Sequence, residues 1–507
     1  MTTRNDETAL DRDMILRDIA SANIVHSSFT MYESAAYWLE MTGDDKTFCV
    51  VARAGDTVLA HFRGESGATS DTLTMMRCPA DSVNGRTLRA ALPWLTPQPL
   101  GLQTSAGCGD RLGLATPGHV LAFQRVQREV PDSHIAAIFA QQSIREMTRT
   151  RRTPDEVLTD ATWGAFQQGW RDQVGADADH LKTTEDIDAC ADAGYSFYTI
   201  DPGDYVDAEA DSASADQLQR KIADLPWDVL ESSPDDLIAR YDGHTITLAH
   251  ESLTLDRLAI MRAAAKYSGA IAHVARMYRH LAAKHIPSEL EVSVDETETP
   301  TTPSEHVFIA SELRRLGVQW VSLAPRYIGE FEKGIDYIGD LDALTTSIAT
   351  HAAIAQAFGP YKLSLHSGSD KFSVYGIFAE ATNGMVHLKT AGTSYVEALR
   401  VVAQSNPTLF REILALARVN YDADRASYHV SAETTRAPDA AQFTNDVLAN
   451  LLDEPNTRQI VHVTFGSTLA TFGSSIKATL HDHAATYATV LEQHFYRHLL
   501  PFAQSAN

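Results

Sequence analysis

From about residue 99 onward the chain alternates short apolar runs with helical stretches, the signature of βα units that build a parallel sheet. Eight runs read as strands, the number a closed barrel needs. They are LGLQT (100–104), IAAIFAQ (135–141), ADADHLK (176–182), YSFYTID (195–201), LEVSVDE (290–296), WVSLAP (320–325), KLSLH (362–366) and MVHLKT (385–390). The clearest helix between them is 256–285, whose apolar residues recur at helical spacing over most of its length. The predicted fold class is α/β, a TIM-type (β/α)8 barrel.

The flanks read differently. Ahead of the barrel, a helical segment precedes TFCVVAR (47–53) and DTVLAHFRG (56–64), two alternating runs around Ala54-Gly55 that predict a hairpin. Residues 1–96 are therefore expected to form a small α+β cap, closed by the proline-rich stretch Pro93 to Pro99. The barrel is expected over 97–400. Residues 401–507 read as a mainly helical extension, with helices near 440–453 and 475–500 and YHVS (428–431) as a candidate added strand.

The chain has 507 residues, 44% of them hydrophobic, enough for one large core with decorations. MTTRNDETALDRDMI is acidic where a signal peptide would be basic and then apolar, and no run approaches the roughly 18–20 apolar residues of a membrane span. A cytoplasmic protein is expected. Cys49, Cys78, Cys108 and Cys190 lack the close pairing of a zinc ribbon or redox motif, so structural thiols are the reading. The net charge of −24 argues against nucleic acid or anionic membrane as a partner. An anionic small molecule would need a locally basic site. Oligomeric state is left open.

In such a barrel the catalytic groups sit at the carboxyl ends of the strands. After the first candidate strand comes SAGCGDRLGLATPGH (105–119), a glycine-rich loop with Asp110 and Arg111. Gly107, Gly109 and Gly113 do not have dinucleotide-fingerprint spacing, which argues against NAD. Gln141, Gln142, Ser143 and Arg145 follow the second strand. His180 and Lys182 end the third, Asp201 and Asp204 the fourth, Asp295 and Glu296 the fifth, and Arg326 the sixth. The seventh opens into HSGSDKF (366–372) and the eighth ends in HLKTAGTS (387–394). Charged groups at so many strand ends favour one shared polar site, because each would be costly to bury alone. His366 and His387, with carboxylates Asp201 and Glu296, suit a catalytic divalent metal with open positions. Arg111, Lys182, Lys371 and Lys389 are the basic set that could hold a carboxylate. Each of these residues has a structural reading as well: Asp110 as a turn cap, the histidines as buried hydrogen-bonding groups, the cations as salt-bridge partners.

The segments GDRLGLATPGH (109–119), IFAQQSIREMTRT (138–150), GADADHLKTTEDID (175–188), YTIDPGDYVD (198–207), KLSLHSGSDKF (362–372) and HLKTAGTSYVEALR (387–400) resemble the signature blocks of the tagaturonate epimerases. VHVTFGS (461–467) and HFYRHLLPF (494–502) resemble that family's ending. The resemblance implies a metal-dependent isomerase of uronate catabolism that interconverts D-tagaturonate and D-fructuronate. Carried over block by block, it implies Asp110 and Glu296 as the acid/base pair. Arg111 becomes a substrate contact, and Asp201, His366 and His387 become ligands; Lys182, Asp370, Lys371 and Lys389 are further candidate substrate contacts. Asp201 and Glu296 are exchangeable between these roles. The ion could be zinc, nickel, cobalt, manganese or iron. The two uronates differ at C4, which neither the C2 ketone nor the C6 carboxylate acidifies, so retro-aldol cleavage of C3–C4 is the expected route. The alternatives are a related metal-dependent epimerase, isomerase or aldolase acting on another keto-sugar or uronate, and a non-catalytic sugar-acid-binding barrel.

Overall fold

The computed structural model describes residues 10–43, 45–248 and 252–504. Eight parallel strands close into a barrel in sequence order: Ser105–Cys108, Ala136–Ser143, Val174–Leu181, Phe197–Ile200, Glu289–Ser293, Ser322–Ala324, Lys362–Leu365 and Val386–Thr390. The eighth pairs with the first, Lys389 standing opposite Gly107. Seven of the expected runs overlap these strands. The first does not.

LGLQT (100–104) is a turn beneath the barrel, its Leu100 and Gly101 amides donating to the Glu289 carboxylate at 2.9 and 2.8 Å. The strand itself is Ser-Ala-Gly-Cys, four small buried residues without the branched side chains that mark a strand in a sequence. The loop expected over 105–119 is correspondingly shorter, because helix Thr116–Glu129 has begun before it ends.

Alternation along the strands places every second residue inside the barrel. Asp177 and Asp179, Glu291 and Ser293, Lys362 and Ser364, and His387 and Lys389 are all buried, and several bond across the interior. Their neighbours Ala176, Ala178, Leu290, Val292, Leu363 and Leu388 belong to the apolar core. The inner wall is largely polar, with Phe197 set among Lys362, Lys389 and His387, and the outer layer carries most of the hydrophobic packing. Helix Arg257–Ala282 is capped by Asp256, which accepts from the Ala259 amide at 2.9 Å, and buries Ile260, Ala264, Tyr267, Ile271 and Val274.

The cap holds a five-stranded antiparallel sheet in the order Ile24–Tyr32, Ala35–Thr42, Asp45–Arg53, Leu73–Pro79, Glu65–Ala68. The hairpin expected after Arg53 is absent. Asp56 accepts from the Val58 amide at 3.0 Å and starts a 3-10 turn over Thr57–His61, so local capping overrides the alternating pattern. The strand Asp45–Arg53 pairs with Ala35–Thr42 and Leu73–Pro79 instead. Its two faces are both covered: Phe48, Val50 and Ala52 join the main core, while Cys49 and Val51 pack in a second cluster with Ile15, Phe29 and Trp38. Phe48 lies 5.3 Å from Trp163 and 5.9 Å from Phe166, both on helix Pro154–Gln167 of the barrel.

Helix Thr393–Ser405 runs across position 400. Beyond it, helices Pro407–Asp424, Pro455–Val463, Phe465–Asp482 and Ala484–Gln504 pack on the barrel. YHVS (428–431) is not a strand; it lies along the sixth loop, Ser431 bonding the Glu332 carboxylate through its amide and hydroxyl. The stretch near 440–453 is 3-10 rather than α-helical. All four cysteines are buried free thiols. Among the described residues no helix is long and apolar enough to cross a membrane.

Because Phe48 is wholly buried where the cap meets the barrel, Phe48→Ala should destabilise the protein by about 3–5 kcal/mol, read as a lower midpoint in urea titration.

Candidate active site

The inner wall converges on Lys389. Its ammonium lies 2.9 Å from Asp177, 2.8 Å from Asp179 and 3.0 Å from Glu291. Burial opposes its charge, but these three carboxylates outweigh that and hold its pKa well above the ordinary lysine value. Reciprocally, burial would raise Asp179 and Glu291, yet Lys389 and the nearby histidines keep both well below the usual carboxylate range.

Above this layer two imidazoles meet the carboxylates. His366, just past the seventh strand, places Nε2 2.6 Å from Glu291 and Nδ1 3.0 Å from Asp295. His180 occupies a bulge in the pairing of the third strand with the fourth, with φ 55°, a left-handed conformation uncommon for a side-chain-bearing residue. Strict alternation would send adjacent residues to opposite faces. The bulge lets His180 and Asp179 meet, Nδ1 to Oδ1 at 2.6 Å, while Nε2 sits 3.7 Å from Asp295 without a hydrogen bond. Burial works against protonation of both rings, but the facing carboxylates raise both above the ordinary histidine value. Asp295 is held low for the converse reason.

His180, Asp295 and His366 offer three donor atoms that all lie within 4.8 Å of one another, and His180, Asp201 and Glu296 form a second such group. This mixture of imidazole and carboxylate is a donor set for a divalent ion, and the hydrogen-bond-free Nε2 of His180 is the atom that such an ion would satisfy. Glu291, on the other nitrogen of His366, is placed to orient that ring. A cavity lies over this floor, with His180, His366, Asp179 and Lys389 among its lining residues. Its basic lining is Arg111, Arg145, Lys333 and Lys389. Glu296 stands at the rim, 3.3 Å from Arg145 and 3.9 Å from Lys333. Burial alone would raise its pKa, but His180 and Lys333 lower it below the usual value.

A family model described as tagaturonate epimerase matches residues 25–501. The tagaturonate/fructuronate epimerase of Thermotoga maritima is 40% identical over 479 residues, covering 94% of this chain and 96% of its own. The native crystal structure of the fructuronate-tagaturonate epimerase UxaE from Cohnella laeviribosi superposes with a TM-score of 0.88 at 33% identity, covering 97% of this chain and 99% of that one. A glycerol complex of the same enzyme gives 0.87 at 34% identity, covering 95% and 96%. The chain belongs to the tagaturonate epimerase family. It is an isomerase-class enzyme with the barrel, antiparallel cap and helical carboxyl-terminal region of its relatives.

Within this epimerase fold the structure brings together only part of the expected constellation. His366, Lys389 and Arg111 line the cavity, with Glu296 at its rim and Asp201 in the second donor group. Arg111 is committed to Glu146 at 2.6 and 2.8 Å and to the His462 carbonyl at 2.9 Å, its guanidinium lying 3.8 Å over Phe465. Asp110, expected as an acid/base group, lies in the turn that follows the first strand. Its carboxylate accepts from the amides of Leu112, Gly113 and Ala115 at 3.0, 2.8 and 2.7 Å and does not line the cavity, so it caps the turn. His387, expected as a ligand, lies in the inner wall with Nδ1 2.9 Å from the Ser105 hydroxyl and is in neither donor group.

Three residues expected as substrate contacts are not in the lining of this cavity. Lys182 turns outward to Asp204 at 2.8 Å and Asp201 at 3.7 Å. Lys371 is buried among the carbonyls of Glu332, Ile335 and Ser369, where desolvation pushes its pKa down to about 7. Asp370 ties the seventh loop to the carboxyl-terminal helices, 2.8 Å from Arg458 and 2.7 Å from His494. Asp179, Glu291, Asp295, His180, Arg145, Lys333, Tyr428 and His462 carry or line the site without having been given roles. His180, Asp295 and Arg145 stand at strand ends and were findable there; Tyr428 and His462 come from the carboxyl-terminal region, which strand ends do not point to.

Asp110→Ala should lower stability by about 1–3 kcal/mol while the folded protein keeps its kcat, measured by denaturant titration and steady-state assay. Acid stability gives an independent check of the Asp370 cluster. Glu397 shares Arg458 with Asp370, and although burial opposes its ionisation, His494, Arg458 and Arg400 bring its pKa down to about 2. A carboxylate lower in the folded than in the unfolded chain contributes stability that is present above the unfolded value of about 4.3 and lost as pH falls towards 2. Glu397→Gln should therefore show a shallower loss of stability than the parent between pH 4 and 2 in acid unfolding followed by circular dichroism.

Proposed function

We propose that the chain interconverts D-tagaturonate and D-fructuronate by inversion at C4, with one divalent metal ion at the barrel mouth. The observation that carries this reading is the His180–Asp295–His366 donor group on the floor of a cavity rimmed by Arg145 and Lys333. In a chain of net charge −24, positive charge gathered at one mouth suits an anionic sugar acid. His180, His366 and Asp295 would hold the ion, with Asp201 and Glu296 as the adjoining carboxylates. When bound, the ion supplies Lewis-acid stabilisation for negative charge developing on the ketone side of the substrate.

The substrate dictates the rest. The C4 hydrogen is not acidified, but the C4 hydroxyl is β to the C2 ketone. A base that takes the hydroxyl proton allows the C3–C4 bond to break. Its electron pair then passes towards the ketone, leaving an aldehyde at C4. Rotation of that aldehyde and re-addition to its other face inverts C4 and returns the proton. Glu296, ionised at the rim between Arg145 and Lys333, is the carboxylate placed to take and return it. Arg145 and Lys333 supply the positive charge that holds the C6 carboxylate at the rim, and Lys389 keeps the carboxylates beneath ionised.

Purified protein should convert tagaturonate to fructuronate, lose conversion on chelation and regain it with a divalent ion. His180→Ala and His366→Ala should each cut metal content and activity by more than about 10-fold, in line with the effect of weakening a metal shell. In D2O the product should carry no deuterium at C4; its appearance there would overturn the retro-aldol route. A metal-loaded protein inert on both uronates would move the substrate search to other keto-sugars.

A further inference from the structure

One wall of the cavity is not made by the barrel. His462, on helix Pro455–Val463 of the carboxyl-terminal extension, lines the cavity at 1% exposure. Its main chain is fixed from below, the carbonyl accepting from Arg111 at 2.9 Å. Its helix is anchored through Arg458 to Asp370 and through Gln459 to the Glu332 carboxylate at 2.7 Å. The ring sits in a slot between two barrel loops. A Cβ on Gly392 would come within 2.3 Å of its Nε2, and one on Gly334 within 3.2 Å of its Cδ2. Both glycines have positive φ, 90° and 74°, so neither position suits a side chain on conformational or on steric grounds.

A slot built to seat an imidazole would normally satisfy its nitrogens. Here neither Nδ1 nor Nε2 has a hydrogen-bond partner in the protein. Buried polar atoms are almost always paired, so an orphaned ring at a ligand cavity calls for a partner from outside the chain. Burial, together with Arg111 and Lys333, keeps the ring neutral, with one nitrogen a donor and the other an acceptor. A sugar hydroxyl, itself donor and acceptor, is the matching group. We propose that His462 is a substrate-contacting residue that hydrogen-bonds a hydroxyl of the bound sugar acid, so that the carboxyl-terminal extension completes the active site. The assignment rests on the epimerase reading above and adds to it a specificity-determining group outside the barrel.

The test compares wild type with His462→Phe, His462→Ala and His462→Asn, each metal-loaded and checked for an unchanged circular dichroism spectrum. His462→Ala guards against a misfit of the larger phenyl ring. Removing the hydrogen-bonding edge should lower kcat/KM for tagaturonate at least about 10-fold, whereas His462→Asn, which keeps a donor and an acceptor, should retain more activity than either apolar variant. A folded His462→Phe or His462→Ala with wild-type kcat/KM overturns the proposal, including the case in which the ring merely holds a water. Calorimetric binding of tagaturonate separates this from the epimerase reading. If wild type binds without turnover, loss of binding in the apolar variants supports the contact, and wild-type affinity in them overturns it.

Discussion

The interior of this barrel depends on the ammonium of Lys389. Asp177 and Asp179 from the third strand and Glu291 from the fifth all point inward, and without a cation between them their burial would be prohibitive. Gly107 stands opposite Lys389 on the first strand, and the Gln141 side chain packs against it. The usual barrel interior is packed with branched apolar side chains. This one exchanges that packing for an ionic column running from Lys362 and Glu289 at the base to His366, His180 and Asp295 at the mouth, leaving hydrophobic stabilisation to the helical layer, the cap and the carboxyl-terminal helices.

Those outer layers have different relations to the site. The cap buries both faces of its central strand and docks by Phe48 on the helix that holds Trp163 and Phe166. The carboxyl-terminal region comes over the mouth itself. Arg458, Gln459 and His494 clamp the sixth and seventh loops, and Tyr428 lies under Arg145, whose guanidinium is 4.8 Å from its ring. The loops that carry Lys333 and Ser367 are thus held from both sides, which is how residues on loops acquire the fixed geometry a catalytic cavity requires.

The barrel was legible because its period was: seven strands declare themselves by apolar alternation between helices. The strand that did not, Ser105–Cys108, is too small to register as apolar, and the run that looked like it is held as a turn by Glu289, 188 and 189 residues away. The site was legible in part for the same reason. Strand ends point to His366, Lys389 and Glu296, but a sequence does not reveal how a carboxylate is spent. Asp110 and Asp295 look alike in the chain, yet one is consumed by three backbone amides and the other faces two imidazoles. His387 also lies on a last strand, but two residues before Lys389 it falls a layer below the two donor groups. His180 depends on a bulge that no periodicity announces.

The charge within the column makes a further connection between fold and chemistry. Asp177, Asp179, Glu291 and Asp295 present four carboxylates, faced by Lys389 and by His180 and His366, whose rings are driven towards protonation. With both rings protonated, the positive charges number three. If the two rings give up one proton each and a divalent ion takes their place, the count is again three. Exchanging one proton from each ring for one divalent ion would leave the number of positive charges facing these carboxylates unchanged. That exchange would link the polarity of the inner wall to the chemistry proposed above it, because metal binding at histidine ligands is coupled to release of their protons.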